Sequence, residues 1–422
     1  MALTVCSTAF AALGRSQASA LGYSDLPIAV VPHPFGASSR SELQNIAKQC
    51  AVDIAKLISI PAAARTPEDD PDPLLAAAAA TQIELPDDIV AFNRLCRERR
   101  WGDGLPLIPP TPERVTDMLS RVHLERHQVI ARIAPKFGAA TLELIAINAV
   151  LAGCDPDYLP VVLAAVEAVT TPQFNLQGIQ VTTNPVAVWL IINGPVAKKL
   201  GVNEGINCLG QGVWANATLG RALRLILQNV GGAFPGEMDR ATQGQPGKYT
   251  FCCAENEAAN PWEPLHVERG FAPESGTVTV VGYSGTLNMN THAKDAADIL
   301  RVIADTMAYA PSNDYWIGGE PWIVLGPEHA EILQRAGLTK SDVKRRLWEQ
   351  SRMAAGRMAE RDFTRTQSAR RTELGEIRPD TLLPITDNPD RIGIIVAGGP
   401  GTHSVYVSGF GSARSVTRVV TP

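Results

Sequence analysis

The chain has 422 residues, enough for two or three domains with substantial hydrophobic cores. Hydrophobic residues make up 45% and charged residues 19%, and the formal net charge of −5 comes without a Lys/Arg-rich block, so nucleic acid is not an expected partner. No apolar run approaches the roughly 18 residues that span a bilayer, so we expect no membrane partner either.

The cysteines are typical of a cytoplasmic protein. There are seven, they are widely spaced, and no Cys-x-x-Cys occurs, so neither a disulfide framework nor a structural zinc site is expected. Ala18-Ser19-Ala20 resembles a signal-peptide cleavage site, but a basic region is lacking and Arg15 interrupts the apolar stretch.

Residues 1–59 are predicted to form an incomplete α/β domain. The run LTV near the start and the continuous apolar run Leu26–Val31 are predicted strands, the second typical of a buried parallel strand. One helix is predicted over Ser7–Ala20, and another after a cap at Ser38 or Ser39. Because two strands do not make a stable parallel sheet, this region is expected to pair with a partner subunit.

Residues 60–86 are rich in Pro, Asp and Ala, which predicts a linker or an arm that wraps a partner. Residues 87–422 are predicted to form the main α+β domain. Its predicted elements are a helix from Asp87 or Asp88 to about Arg100, a helix opened by Thr111-Pro112-Glu113, helices over Thr141–Gly153 and Leu159–Val169, strands over Gln180–Thr183 and Val186–Ile192, a helix over Ala217–Val230, a strand over Thr277–Tyr283, a helix over Lys294–Met307, a strand over Trp322–Leu325, helices over Glu328–Ala336 and Ser341–Ala359, a strand over Arg391–Ala397 and a hairpin return over Ser404–Val407.

The fold class is therefore α/β: a partial N-terminal parallel domain, half of a flavodoxin-like one, plus a larger α+β domain. Within the latter, residues 193–271 concentrate glycine, asparagine, carboxylates, paired cysteines and a histidine. A long run of such residues between apolar segments usually lines a site.

A glycine turn precedes the Ala217–Val230 helix. Gly210-x-Gly212 followed by Ala215 matches G-x-G-x-x-A, but the flanking strands of a dinucleotide fold are missing, so no nucleotide cofactor is expected. Backbone amides at the helix start could hold an anionic or polar substrate group; a capped helix after a turn is the alternative.

Two arginines on that helix, Arg221 and Arg224, are three residues apart and could clamp a carboxylate. Pairing with Glu237 or Asp239 is the structural alternative, and the one we favour. The candidate substrate-binding residues of the segment are Asn193, Gly194, Gly212, Asn216, Thr218, Arg221 and Lys248.

Cys252 and Cys253 are adjacent, so in a strand only one of them would face a cavity. The carboxylates that follow disfavour a thiolate, which argues against a nucleophile unless Lys248 or His266 supplies a nearby cation. The alternative is a pair of small core cysteines.

Glu263 and His266 are three residues apart, with Glu268 and Arg269 next along the chain. On one surface these residues could supply an acid, a base and an anion holder. No second histidine stands nearby, so metal is not expected. A hydrogen-bonded structural histidine is the alternative.

His33 follows the second predicted strand, at the carboxyl end where open α/β sheets bind ligands. Cys6, near the end of the preceding strand, is predicted to lie beside it.

Several stretches resemble the UGSC family, whose members are named for a U/C-G-S-C motif with selenocysteine or cysteine. They are LPIAVVPHPFG, DGLPLIPPTPERV, AINAVLAGCDPDYLPVVLAAVEAV, IINGPVAKKLG, ANATLGRALRLILQNVGG, PGKYTFCCAENEAANPWEPLHVERGF and IIVAGGPGTHSVYVSGFGSARSVTR. The resemblance covers most of the chain and implies thiol-based oxidoreductase chemistry.

No Cys-Gly-Ser-Cys occurs in the sequence, so we expect either a split enzyme with the motif on a small subunit or a loss of the motif. The leading hypothesis is the large subunit of a hetero-oligomeric enzyme that binds a small polar substrate, with the partner's thiol or selenol docked over His33. The alternatives are a non-redox lyase or hydratase that uses Glu263, His266 and Glu255, and a non-catalytic binding subunit.

Overall fold

The computed structural model describes residues 2–35, 38–59, 82–84, 86–310 and 312–421. The predicted linker over 60–86 lies mostly outside these residues. The described chain is a mixture of helices and strands that includes a parallel two-stranded sheet and a larger mixed sheet, which confirms the α/β class.

The N-terminal unit contains strands β1 (Thr4–Ser7) and β2 (Ile28–Val31), which pair in parallel. Helix α1 (Ala11–Ala20) connects them, and α2 (Arg40–Ser59) follows. Neither strand has another strand partner within the described residues. The two predicted strands and both helices are thus confirmed, and the sheet is left with two unpaired edges.

The next part of the chain is mainly helical. It consists of α3 (Ile89–Arg99), α4 (Pro112–Leu119), the hairpin β3 (Val129–Ile133) and β4 (Gly138–Thr141), α5 (Leu142–Ala152), α6 (Leu159–Val169) and α7 (Leu176–Val181). The predicted strand over Gln180–Thr183 is wrong. The Asn175 side chain accepts from the Gly178 amide and caps a short helix there, which buries Leu176 and Ile179.

The remaining elements are β5 (Ala187–Asn193), α8 (Pro195–Lys199), α9 (Trp214–Asn229), β6 (Cys252–Ala254), α10 (Leu265–Glu268), β7 (Thr277–Asn290), α11 (Ala296–Met307), α12 (Asn313–Ile317), β8 (Trp322–Leu325), α13 (Pro327–Arg335), α14 (Lys340–Gln350), β9 (Met353–Ala354), α15 (Glu360–Ala369), α16 (Arg371–Leu374), β10 (Leu382–Leu383), β11 (Gly393–Val396), β12 (His403–Gly409) and β13 (Val416–Val419). Helix α14 ends well before the predicted Ala359, because Met353 enters the core on a short strand paired with β10.

Seven strands form one mixed sheet in the order β11-β8-β12-β7-β5-β6, with β13 paired to the first half of β7. The pairs β11/β8 and β5/β6 are parallel and the others antiparallel. The predicted hairpin return of Ser404–Val407 onto β11 is wrong, because β8 lies between β11 and β12. Just past β6, the Asn256 amide donates to the Val396 carbonyl (2.7 Å), so the sheet curls until its two ends meet.

Alternate residues of this sheet face two sides, as the period of a strand requires. In β5, Trp189 and Ile191 enter the core enclosed by the curled sheet, whereas Leu190 and Ile192 pack outward against helices. Trp189 meets Trp322 edge to face, with ring centroids 5.8 Å apart. Both faces are therefore buried, which fixes the strand ends that carry the candidate site.

Within the described ranges no helix has the length and apolarity needed to cross a bilayer.

Candidate functional site

The site is built at the ends of two neighbouring strands. β5 ends at Asn193 and β6 at Ala254, and their parallel register places Ile192 beside Ala254. The residues that follow each strand, Gly194 and Glu255, therefore emerge at the same edge of the sheet.

Glu255 is a buried carboxylate that is hydrogen-bonded to three groups of the protein. It accepts from Asn193 Nδ2 (2.6 Å), from the Leu265 amide (2.7 Å) and from Asn260 Nδ2 (2.8 Å). Burial raises the pKa of Glu255, and the positive charge of Lys340 opposes that shift. Both oxygens are engaged within the protein and the side chain is buried, so Glu255 holds Asn193, Asn260 and the Leu265 amide in place.

Glu257 is the accessible acid of the cluster, with its side chain about one-third exposed. Its Oε1 accepts from the Gly194 amide (2.7 Å) and from Asn193 Nδ2 (3.0 Å). The same oxygen lies 3.6 Å from His266 Nδ1. In the sequence, Glu257 is one of the carboxylates that follow Cys253 and nothing marks it as a site residue; its place in the cluster comes from the structure.

His266 is buried, and its Nε2 lies 3.2 Å from the Pro273 carbonyl. A carbonyl only accepts, so Nε2 carries a proton and Nδ1 is the atom that can take up or release one. Nδ1 has no hydrogen-bond partner and faces Glu257. The carboxylate and the imidazole therefore face each other at the edge of the sheet without a hydrogen bond between them.

Gly194 is required where it stands. Its φ is +76°, and a side chain would run into the Ser275 carbonyl. Only glycine brings its amide to Glu257 in this way, so the assignment of Gly194 to the site rests on its backbone.

Lysines from a distant helix close the other side of the cluster. Lys340 Nζ donates to the Glu263 carbonyl (2.6 Å) and to Glu268 (2.9 Å), and Lys344 also pairs with Glu268. Burial raises the pKa of Glu268, but the two lysines outweigh it and the net pKa is lowered. The Arg269 guanidinium donates to Glu320 Oε1 (3.5 Å) and to Ser415 Oγ (2.5 Å).

Glu263, named as a catalytic acid from the sequence, lies outside the cluster. Its side chain is exposed, and its carbonyl makes the contact with Lys340. The three-residue spacing to His266 does not bring the two side chains together, because Pro264 separates Glu263 from the helix that begins at Leu265.

The adjacent cysteines enter different cores: Cys252 faces the helices and Cys253 faces the interior of the curled sheet. Burial raises the pKa of Cys252; the neighbouring Cys208 thiol and then burial raise that of Cys253. Cys208 is the exception, since the Cys253 thiol lowers its pKa. Neither Lys248 nor His266 is the cation beside them.

Asn216 is a clamp within the protein. Its Nδ2 donates to the carbonyls of Asn203 (3.1 Å), Cys208 (3.1 Å) and Cys252 (3.0 Å), and its Oδ1 accepts from the Asn203 amide (2.7 Å). Thr218 donates to the Trp214 carbonyl (2.9 Å). Gly212 has a φ of +118° in the turn before α9. The structure thus gives Asn216 and Thr218 internal partners rather than a place at a binding mouth.

The arginines and Lys248 are paired, though not as the sequence suggested. Arg221 binds Asp103 through two hydrogen bonds (2.8 and 2.9 Å) instead of Glu237 or Asp239. Arg224 donates to Gln180 and to the Ala233 carbonyl. Lys248 Nζ forms an ion pair with Asp239 Oδ2 (2.6 Å). None of the three cations is free to clamp a substrate.

In the N-terminal unit, His33 is exposed and its Nδ1 lies 3.1 Å from Ser7 Oγ. Cys6, one residue earlier, points to the opposite face, where its sulfur packs against Gly14 of α1. The carboxyl edge of the small sheet therefore presents a serine–histidine pair rather than the predicted cysteine–histidine pair.

Among the described residues, no group of three or more His, Cys, Asp or Glu side chains is placed to hold a metal ion.

Comparison with known proteins finds a family likeness in the N-terminal unit. Residues 2–60 match the model of the UGSC family, and the match covers less than half of the chain. No curated protein matches the chain, and no solved structure does.

Proposed function

Starting from the UGSC family assignment of residues 2–60, we propose that this chain is the large subunit of a hetero-oligomeric oxidoreductase. A small subunit completes the parallel sheet of the N-terminal unit and brings a Cys-Gly-Ser-Cys or Sec-Gly-Ser-Cys motif to its carboxyl edge. That motif supplies the thiol or selenol, and this chain supplies the binding site for a small polar substrate.

The observation that carries the proposal is the uncovered apolar surface of the family-matched unit. Val5 is 47% and Val30 38% exposed, and the strand register puts them on opposite faces of the sheet. Phe35, after β2, is 46% exposed, and α2 buries no residue. Strands of a parallel sheet are normally covered on both faces. A chain that extended this sheet would cover both faces and occupy an unpaired edge.

The carboxyl edge of the sheet supports the same conclusion. Ligands of open α/β sheets bind at this edge, and His33 with Ser7 already presents a polar pair there. A reactive thiol brought to this edge would meet a histidine that can exchange a proton with it.

The test is purification of the tagged full-length chain from its native cells, followed by mass spectrometry of whatever co-purifies in stoichiometric amount. We expect a small chain that contains the Cys/Sec-Gly-Ser-Cys motif. A chain that purifies alone, or with partners that all lack the motif, would refute the split-enzyme proposal.

Point variants locate the contact. Val5→Glu should abolish co-purification, because it places a charge on the apolar face of β1. The matched control is Val90→Glu, since Val90 is also an exposed valine (60%) but lies at the start of α3. Loss of the partner from both variants would mean that the N-terminal unit is not the docking surface.

The second candidate function is acid–base chemistry without a redox step, as in a lyase or hydratase. It is favoured by the position of Glu257, whose carboxylate faces the His266 ring. Here Glu257 would exchange the proton with substrate and His266 would position it. Glu255 would hold the Asn193 amide in place.

Turnover in the reconstituted complex separates the two candidates. If the partner's thiol carries the reaction, Cys252→Ser and Cys253→Ser should retain substantial turnover. In that case Glu257→Gln should leave the maximal turnover rate of the complex unchanged. If acid–base chemistry is correct, Glu257→Gln should abolish turnover while alkylation of the partner's thiol has no effect.

A further inference from the structure

A cavity of about 380 Å³ lies away from the strand-end cluster, at the C-terminal ends of α3 and α9. One wall is the loop Gly102–Leu107, and Phe234 and Pro235 stand on another. The volume falls at the lower end of the roughly 300–1,000 Å³ typical of ligand pockets, so its occupant must be small.

The loop wall is held in place by three side chains from two helices. Asp103 is bound by Arg221 through two hydrogen bonds, and Gln228 Nε2 donates to the Gly102 carbonyl (2.8 Å). Asn93 both accepts from the Leu107 amide (2.7 Å) and donates to the Leu107 carbonyl (3.2 Å). A wall fixed in this way is formed before any ligand arrives, so little ordering cost opposes binding.

The charge of the cavity is positive. Asp103 is the acid on its lining, and both of its oxygens are occupied by Arg221. Arg100 stacks over Phe234, 5.0 Å from the ring centroid, and pairs with Glu237. Arg97 also lines the cavity, and it makes no ion pair or hydrogen bond within the part of the chain that the structure describes.

Apolar side chains make up much of the remaining wall: Leu105, Leu107, Phe234 and two prolines. An inorganic ion would leave these surfaces unused, whereas a flat apolar body would cover them. An arginine near the C-terminal end of a helix also interacts favourably with the helix dipole, and this interaction needs no ligand. Arg99, in the same turn of α3 but outside the cavity, shares that role and provides the comparison.

We propose that this cavity binds a small organic anion with a flat apolar body and one carboxylate or phosphate group, held by Arg97. The site is formed by this chain alone, so its test needs no partner subunit. Failure of that test would leave the proposed subunit role untouched.

The experiment is isothermal titration of the full-length chain with benzoate, phenyl phosphate and benzamide, in low-salt buffer free of phosphate. We expect saturable binding of benzoate or phenyl phosphate at one site, and the stronger of the two identifies the anionic group. Benzamide, the uncharged counterpart of benzoate, should bind at least ten-fold more weakly than the better anion.

Arg97→Gln should weaken binding of that anion at least ten-fold, and the matched variant Arg99→Gln should change it less than two-fold. Absence of saturable binding by both anions would overturn the proposal. Equal binding of benzamide, or equal losses in the two arginine variants, would also overturn it, because binding would then owe nothing to a specific cation in the cavity.

Discussion

The two sheets of this molecule differ in what surrounds them. The seven-stranded sheet encloses a core on one face, packs helices on the other, and curls until its ends are joined by a hydrogen bond. The two-stranded sheet of the N-terminal unit leaves both edges unpaired within the described residues and exposes valines on both faces. Similar apolar strand sequences thus end in a self-sufficient structure in one region and an uncovered one in the other.

The difference shows that apolar strands predict that the faces of a sheet must be packed against other elements. They do not predict whether those elements come from the same chain. In the main domain, the covering helices come from the same chain. In the N-terminal unit, α1 and α2 cover only part of the sheet, and Ser16 Oγ makes a long hydrogen bond (3.4 Å) to the Pro135 carbonyl of the main domain. If the energetic contrast follows the structural one, substitutions in the enclosed core should cost far more stability than substitutions in the small sheet.

The largest expected effect is in the enclosed core. Trp189→Ala should lower the free energy of unfolding by about 3–5 kcal/mol, because the side chain is fully buried against Trp322. Val30→Ala in the N-terminal unit should change it by less than about 0.5 kcal/mol. Urea denaturation of the two variants measures both. A loss above about 2 kcal/mol for Val30→Ala would mean that the small sheet is well covered already.

A smaller, pH-dependent effect is expected at Asp314. Burial raises its pKa from 3.8 to about 6. Because the folded-state pKa lies above the unfolded one, this group contributes stability in full below about pH 4, and the contribution is lost as pH rises through 6. Relative to Asp314→Asn, the parent should lose about 2–3 kcal/mol between pH 4 and pH 7.5.

The control for this comparison is Asp298→Asn, on the surface of α11, where the carboxyl is more than half exposed. The difference in stability between this variant and the parent should vary far less with pH than the difference for Asp314→Asn, because an exposed ion pair contributes little. If Asp314→Asn also follows the parent, the buried carboxyl does not titrate differently in the folded and unfolded states.

For the cysteines, we expect a several-fold effect on the rate of alkylation by iodoacetamide. The Cys253 thiol lowers the pKa of Cys208, whereas burial raises that of Cys252. Iodoacetamide should therefore modify Cys208 before Cys252 or Cys253 in the folded protein, since the thiolate is the reacting form. Cys253→Ala should slow modification of Cys208 several-fold at pH 7, measured by peptide mass spectrometry. First modification of Cys252 would contradict this order.

The smallest effect is expected at the exposed edge of the N-terminal unit. His33→Ala removes one hydrogen bond to Ser7 at a solvent-facing position, so the free energy of unfolding should fall by less than about 0.5 kcal/mol. The same variant should lower turnover in the reconstituted complex if the edge is the reaction site. A large loss of stability would instead make His33 a structural residue of the unit.

The sequence predicted local structure better than pairing. Asp88 and Thr111 cap their helices and Gly153 ends α5 in a left-handed conformation, because these signals act within a few residues. The placement of β12 between β7 and β8 could not be predicted from Ser404–Val407, since an apolar strand pattern does not indicate which strands it will pair with.

The same limit applies to the candidate site. The density of polar residues predicted a cluster within 193–271, and Asn193, Glu255 and His266 do lie together. The contribution of Lys340 could not be predicted, because it comes from a helix more than 70 positions along the chain. The spacing and the polar neighbours suggested Glu263, but Pro264 separates it from the helix that carries His266.

The clamp formed by Asn216 has a consequence for how the molecule opens. One side chain holds the loop at Asn203, the turn at Cys208 and strand β6 at Cys252, so none of these segments can leave without breaking a bond to the first turn of α9. Local fluctuations of this region are therefore coupled into one cooperative opening unit. Amide hydrogens of all three segments should exchange with solvent deuterium at a common free energy of opening, higher than that of the neighbouring glycine turn.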